Sequence, residues 1–298
     1  EWKPLLGAIP PLNEADWQDA FTKYQAIPQF KILNSNMDLA DFKFIYWWEW
    51  SHRFLGRFIG VDFAVPFMFF LATRRIEKTL WPRLAVLFVL GGAQGALGWY
   101  MVASGLVDRT DVSQYRLAAH LTLAVALFAA LVWTALDVSG VKGTASKGRG
   151  LALLLIPLLF LQIAAGGFVA GLDAGHASDT WPLMDGALIP AGLGTMQPWW
   201  RNLFENALAV QFDHRMLAYL IVIIVIAQAV IAQTRSAWIV LAAALMQAAL
   251  GIMTVVMQVP LHAALTHQAT TLGQSLKDRT EAFATKVTPG CCGAQIQQ

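Results

Sequence analysis

Six apolar stretches constrain this chain more than any other feature. They run at about 54 to 72, 84 to 103, 117 to 136, 151 to 172, 207 to 232 and 237 to 259, each close to the roughly 20 residues that a helix needs to cross the hydrocarbon of a bilayer. A helix satisfies every backbone N–H and C=O within itself, which the interior of a membrane demands. Composition agrees: 57% of the 298 residues are apolar and 13% charged, against about 25% charged in an ordinary soluble domain. The expected fold is an all-α polytopic membrane helix bundle. A net charge of +2, scattered between the stretches, offers no nucleic-acid surface, and no nucleic-acid partner is expected. The two cysteines, Cys291 and Cys292, are adjacent in a polar tail and have no zinc spacing.

The loops orient the bundle. Residues 73–83 and 142–149 hold seven Lys and Arg, and Arg235 adds an eighth, which places this side in the cytoplasm or its equivalent. Residues 1–43, the loop 104–116 and the long loop 171–206 then face the periplasm or intermembrane space. The expected segments are an extramembrane stretch at 1–43, a first half-bundle at 44–136, a cytoplasmic linker at 137–150, a second half-bundle at 151–270 and a polar tail at 271–298. The chain opens without Met on a Pro-rich stretch and reads as starting inside a longer protein.

The helices repeat internally. EWSHRFL (49–55) and QFDHRML (211–217) share His-Arg, a closing Leu, and Glu or Gln three residues before the His. Three other helices share Gln-x-x-x-Gly: Gln94 with Gly98, Gln162 with Gly166, and Gln247 with Gly251. His120 and His267 follow the first and third of these. The order of His and Gln helices predicts two pseudo-symmetric four-helix halves, as internal repeats in membrane folds do. The first half lacks its opening helix. The eighth helix is broken, because Lys277, Asp278, Arg279, Glu281 and Lys286 follow His267, and a charge at mid-bilayer costs about 2.5 to 3.5 kcal/mol.

His52, His120, His214 and His267 each fall early in a helix that runs inward, so they share one depth near the outer face. Two imidazoles facing each other across a bundle can fill both axial positions of a haem iron. Gly56, Gly60, Gly98, Gly166, Gly167 and Gly251 allow close approach of a macrocycle or of a neighbouring helix. Arg53, Arg116 and Arg215 lie beside these histidines, where guanidinium groups pair with haem propionates or snorkel to the interface. Trp47, Trp48 and Trp50 read as an interfacial belt. The halves differ at one position: Glu49 precedes His52, whereas the neutral Gln211 precedes His214. At this position only the first half carries a carboxylate, suited to proton handling or charge stabilisation, so it reads as the reaction site and the second half as a resident redox haem. The alternative for Glu49 is an i, i+4 salt bridge to Arg53.

The stretches EWKPLLGAIPPLNEADW, FKFIYWWEWSHRFLGRFIG, GALGWYMVASGL, VSQYRLAAHL, AGLDAGHASDTWPLMDGALIP and VQFDHRMLAY, spread from residue 1 to about 268, resemble the haem A synthases of the mitochondrial and alphaproteobacterial type. The resemblance implies oxidation of the C8 methyl of haem O to the formyl group of haem A, by way of an alcohol, for cytochrome oxidase assembly. It implies that His52 and His120 bracket the substrate haem O with Glu49 as the catalytic carboxylate, and that His214 and His267 ligate a haem b, with His262 in reserve. It implies a ferredoxin-type electron donor; membrane lipid around the spans is a further expected partner, and a homo-oligomer is one the sequence leaves open. The implied location is the bacterial cytoplasmic membrane or the mitochondrial inner membrane. The competing expectation is a dihaem b-type membrane cytochrome that relays electrons without modifying haem. A small-solute permease would leave TWPLMDG and GAIPPLNEADW unexplained.

Overall fold

The computed structural model of the chain describes residues 9–105, 112–140, 147–260 and 262–268. The chain is all-α: the described residues contain helices, turns and one isolated bridge between Met184 and Ala187. Six helices are long and apolar enough to span a membrane: α3 (Leu39–Ala72), α4 (Trp81–Gly105), α5 (Gln114–Val138), α6 (Arg149–Gly171), α8 (Ala207–Ala232) and α9 (Arg235–Val256). The protein is an integral membrane helix bundle. The fold divides into two compact units, Glu1–Leu131 and Val132–Gln298.

In the first unit, α3 begins at Leu39, well before the apolar stretch at 54. Its 34 residues reach about 50 Å at 1.5 Å per residue, against a hydrocarbon core of about 30 Å. A capping box starts it: the Asp38 carboxylate accepts the Asp41 N–H at 2.9 Å while the Asp41 carboxylate accepts the Asp38 N–H at 3.5 Å. The projecting turns are then packed by α1 (Glu14–Gln25) and α2 (Pro28–Leu33). Trp17, Phe21 and Phe42 are buried there, with Tyr24, Phe30 and Tyr46 against them. Burying each such ring stabilises by roughly 1.5 to 3 kcal/mol, which a hydropathy window cannot register. Deeper in the span, Phe63 of α3 stacks on Phe88 of α4 at 6.4 Å.

In the second unit, α8 is the central helix. Of its most apolar window 22% is buried, against 11% in α6 and 6% in α9, because α6 and α9 pack on two of its faces around Leu155, Ile221 and Val225. The connection from α6 to α8 is a folded cap, with 3-10 turns at Ala174–His176 and Trp199–Arg201 and the short helix α7 (Asn202–Glu205). Asn206 joins this cap to α8: its Oδ1 accepts the N–H groups of Leu208 and Ala209 at 3.1 and 3.3 Å, and its Nδ2 donates to the Gly192 carbonyl at 2.9 Å. Beyond α9, residues 262–268 are helical. That turn starts at Pro260, whose carbonyl accepts the N–H of Ala263 and of Ala264. The expected break of the eighth helix in the polar tail, and both cysteines, lie outside the described residues.

Candidate functional site

Each Gln-x-x-x-Gly motif meets one histidine. On α4, the Gln94 amide donates to the His120 carbonyl at 3.1 Å and lies 3.4 Å from His120 Nε2. On α6, the Gln162 amide lies 3.2 Å from both ring nitrogens of His214. On α9, the Gln247 amide donates to the His267 carbonyl at 2.8 Å and lies 3.1 Å from His267 Nδ1. One turn along each helix, the glycine leaves room for the same ring. A Cβ on Gly98 would come within 2.9 Å of His120 Cε1, one on Gly251 within 2.9 Å of His267 Cε1, and one on Gly166 within 3.3 Å of His214 Cε1. These glycines are therefore imidazole seats. Gly56 and Gly60, one and two turns after His52, face open space, and among the described residues no glycine seats His52.

The first unit brings His52 of α3 and His120 of α5 within electrostatic range of each other. His52 is exposed and His120 half-buried, with His120 Nδ1 buried and unpartnered among the described residues. Glu49, one turn before His52, forms an ion pair with Arg53 at i, i+4. Arg116 lies over the Tyr100 ring at 4.7 Å from its centroid. Trp47 and Trp50 join the aromatic surface that continues from Trp17, at 5.8 and 5.4 Å between successive rings.

The second unit brings His214 of α8 and His267 within the same kind of range. His262, one turn before His267, is exposed and is not among the three seated rings. Gln211 and Arg215, which occupy the places of Glu49 and Arg53, do not pair with each other. The Gln211 amide donates to the carbonyls of Gly175 and Ser178 at 3.1 and 2.9 Å. Arg215 donates from Nη1 to the Thr180 carbonyl at 2.8 Å and from Nη2 to the Ser178 carbonyl at 2.9 Å. The cap closes on itself as well: Ser178 Oγ donates to Asp185 at 3.0 Å, and the Asp185 N–H donates to Thr180 Oγ1 at 2.8 Å. Trp181 Nε1 donates to the Tyr219 hydroxyl of α8 at 3.0 Å. Gln211 entered the sequence reading only as the neutral counterpart of Glu49. Its anchoring of the cap has no local signal, because the partners lie more than thirty residues away in the chain.

In each unit two imidazoles lie within electrostatic range of each other, three of the four rings are seated on glycines and His120 Nδ1 is left unpartnered among the described residues, an arrangement that fits a haem held through two axial histidines. Among the described residues no group of three or more His, Cys, Asp or Glu could hold a metal ion.

Known proteins are similar to this chain. Residues 1–273 match the family described as cytochrome oxidase assembly protein, COX15-CtaA. The chain is 53% identical over 277 residues to the heme A synthase of Parvibaculum lavamentivorans, covering 90% of this chain and 80% of that one. It is 53% identical over 278 residues to the heme A synthase of Azorhizobium caulinodans, with the same coverage, and 49% identical over 281 residues to that of Bradyrhizobium diazoefficiens, covering 90% of this chain and 78% of the relative. The chain belongs to this family of cytochrome oxidase assembly proteins, the family of the haem A synthases.

Proposed function

We propose that the protein oxidises the C8 methyl of haem O to the formyl group of haem A, in two oxidations by way of the alcohol, with the first unit as the reaction site. The observation that carries this is the asymmetry around two equivalent histidines. Both units hold an imidazole pair, yet only the first holds a carboxylate three residues before its histidine, Asp213 in the second being the residue next to His214, while the second uses the counterpart Gln211 to fasten a cap. His52 and His120 bracket the substrate haem O. Glu49 takes up or delivers a proton at the outer edge of the span, and its pairing with Arg53 points it along the α3 face that carries His52. Arg53 and Arg116 are the proposed propionate partners; Arg53 pairs with Glu49 and Arg116 lies over the Tyr100 ring. Arg215 spends both terminal nitrogens on the cap and acts by keeping water from His214.

In the second unit His214 and His267 hold a haem b, which supplies one-electron transfer when bound. A ferredoxin-type protein is the proposed electron partner, and the histidines face the periplasm or intermembrane space. The ion pair of Glu49 is also the observation that favours the other reading, an electron-relaying dihaem cytochrome, because a paired carboxylate need do no chemistry. The two separate in a host that makes haem O and no haem A. Pigments extracted after expression of this chain should contain haem A or the alcohol by mass. Haem O alone, beside a normal low-spin haem b spectrum, would favour the relay.

A further inference from the structure

We infer that Gln94, Gln162 and Gln247 are positioning residues, each of which, with the glycine one turn on, sets the rotation of one histidine ring (His120, His214 or His267) toward a haem iron. The inference rests on the proposed reading of these histidines as haem ligands. It is carried by recurrence within this one chain. The glutamine and its histidine are 26, 52 and 20 residues apart in the three cases, so chain connectivity does not impose the contact. The same three groups meet each time: a glutamine amide, an imidazole and a glycine Cα. Two of the amides also hold the main-chain carbonyl of the histidine itself, which fixes the base of the side chain as well as its ring.

The chemistry follows from what a ligating imidazole needs. Once one ring nitrogen binds iron the other carries a proton, and a metal-bound histidine donates that proton to an acceptor that fixes its tautomer and orientation. Gln94 Oε1 and Gln162 Oε1 are buried and unpartnered among the described residues. A half turn of the Gln162 amide brings this oxygen to where its nitrogen now lies, 3.2 Å from the His214 ring nitrogens. Accepting the proton makes the imidazole a stronger donor and stabilises the ferric state. The glycine does the complementary steric work, since any side chain at its place would push the ring off this line.

The test uses the purified full chain with its resident haem and reads the low-spin spectrum, the midpoint potential and haem retention for Gln162→Leu, Gln162→Glu and His214→Ala. Leu removes the acceptor, so the potential should rise and haem should be retained roughly 10- to 100-fold less tightly. Glu is nearly isosteric and keeps an acceptor, so it should retain the spectrum with a potential at or below that of the unmodified protein. His214→Ala separates the two levels of the reading: a full haem spectrum in that variant would remove the ligand assignment itself. If His214→Ala loses the haem while Gln162→Leu keeps both spectrum and potential, the positioning role is overturned. If Gln162→Leu does not fold, the Glu variant decides, because loss of its low-spin spectrum or a rise in its potential contradicts the inference.

Discussion

The two units carry the same four-residue step and use it in opposite ways. In the first, Glu49 and Arg53 lie one turn apart and close on each other as an ion pair. In the second, Gln211 and Arg215 stand at the same places, and both reach outward to the carbonyls of Gly175, Ser178 and Thr180. A neutral amide cannot neutralise the guanidinium, and in the second unit both groups turn their donors to the backbone of the 172–206 loop. The surroundings of the histidines differ as well. His214 lies beneath a folded cap on the most buried helix of its unit, whereas His52 is exposed beside glycines that face open space. A resident redox group is suited to a capped site, where the surroundings stay fixed between oxidation states.

The largest effect that would break this comparison is an exchange of ligand losses. His214→Ala should abolish the low-spin spectrum of the resident haem in purified protein, while His52→Ala leaves that spectrum intact and loses haem O from the extract. The reverse pattern would interchange the units. Next in size are the seats. Gly98→Ala and Gly251→Ala each set a methyl 2.9 Å from an imidazole carbon, closer than such atoms approach, whereas Gly166→Ala sets it at 3.3 Å. Haem content should therefore fall steeply in the first two and modestly in the third, and equal losses would show that ring clearance is not what these glycines provide.

Gln211→Glu makes the second unit resemble the first. The new carboxylate should draw Arg215 off the cap, and each buried carbonyl left without its donor costs roughly 1 to 3 kcal/mol. Limited proteolysis should then cut within 172–206 faster, and an unchanged cleavage rate would mean that the cap stands without these anchors. The smallest effect is expected at the ion pair. Glu49→Gln, which removes the exposed partner of the pair, should alter thermal stability by only a few tenths of a kcal/mol, as exposed i, i+4 pairs do, whereas Arg215→Gln should cost several times more. Equal melting shifts would erase the distinction between a surface pair and a cap anchor.

Much of this was legible in the residues. The apolar stretches give the six spans because length and hydropathy are what a bilayer selects. The three Gln-x-x-x-Gly motifs each meet one histidine in the structure, so the repeat located the candidate sites. Two features were not legible. The outward extension of α3 to Leu39 depends on Trp17, Phe21 and Phe42 meeting from separate helices, and the cap depends on Gln211 and Arg215 finding carbonyls far away in the chain. Both are tertiary, and no local period encodes them. The i, i+4 spacing did anticipate the pairing of Glu49 with Arg53, while leaving its chemical role to experiment.

The division of labour between the units is tested most directly by Glu49→Gln, scored by haem extraction and by the resident haem spectrum in the same preparation. Loss of a positioned acid or base typically lowers a rate by about 10² to 10⁴-fold. The variant should therefore accumulate haem O or the alcohol and yield almost no haem A, with the low-spin spectrum of the second unit unchanged. Haem A at the level of the unmodified protein would contradict the account and leave Glu49 as nothing more than a partner for Arg53.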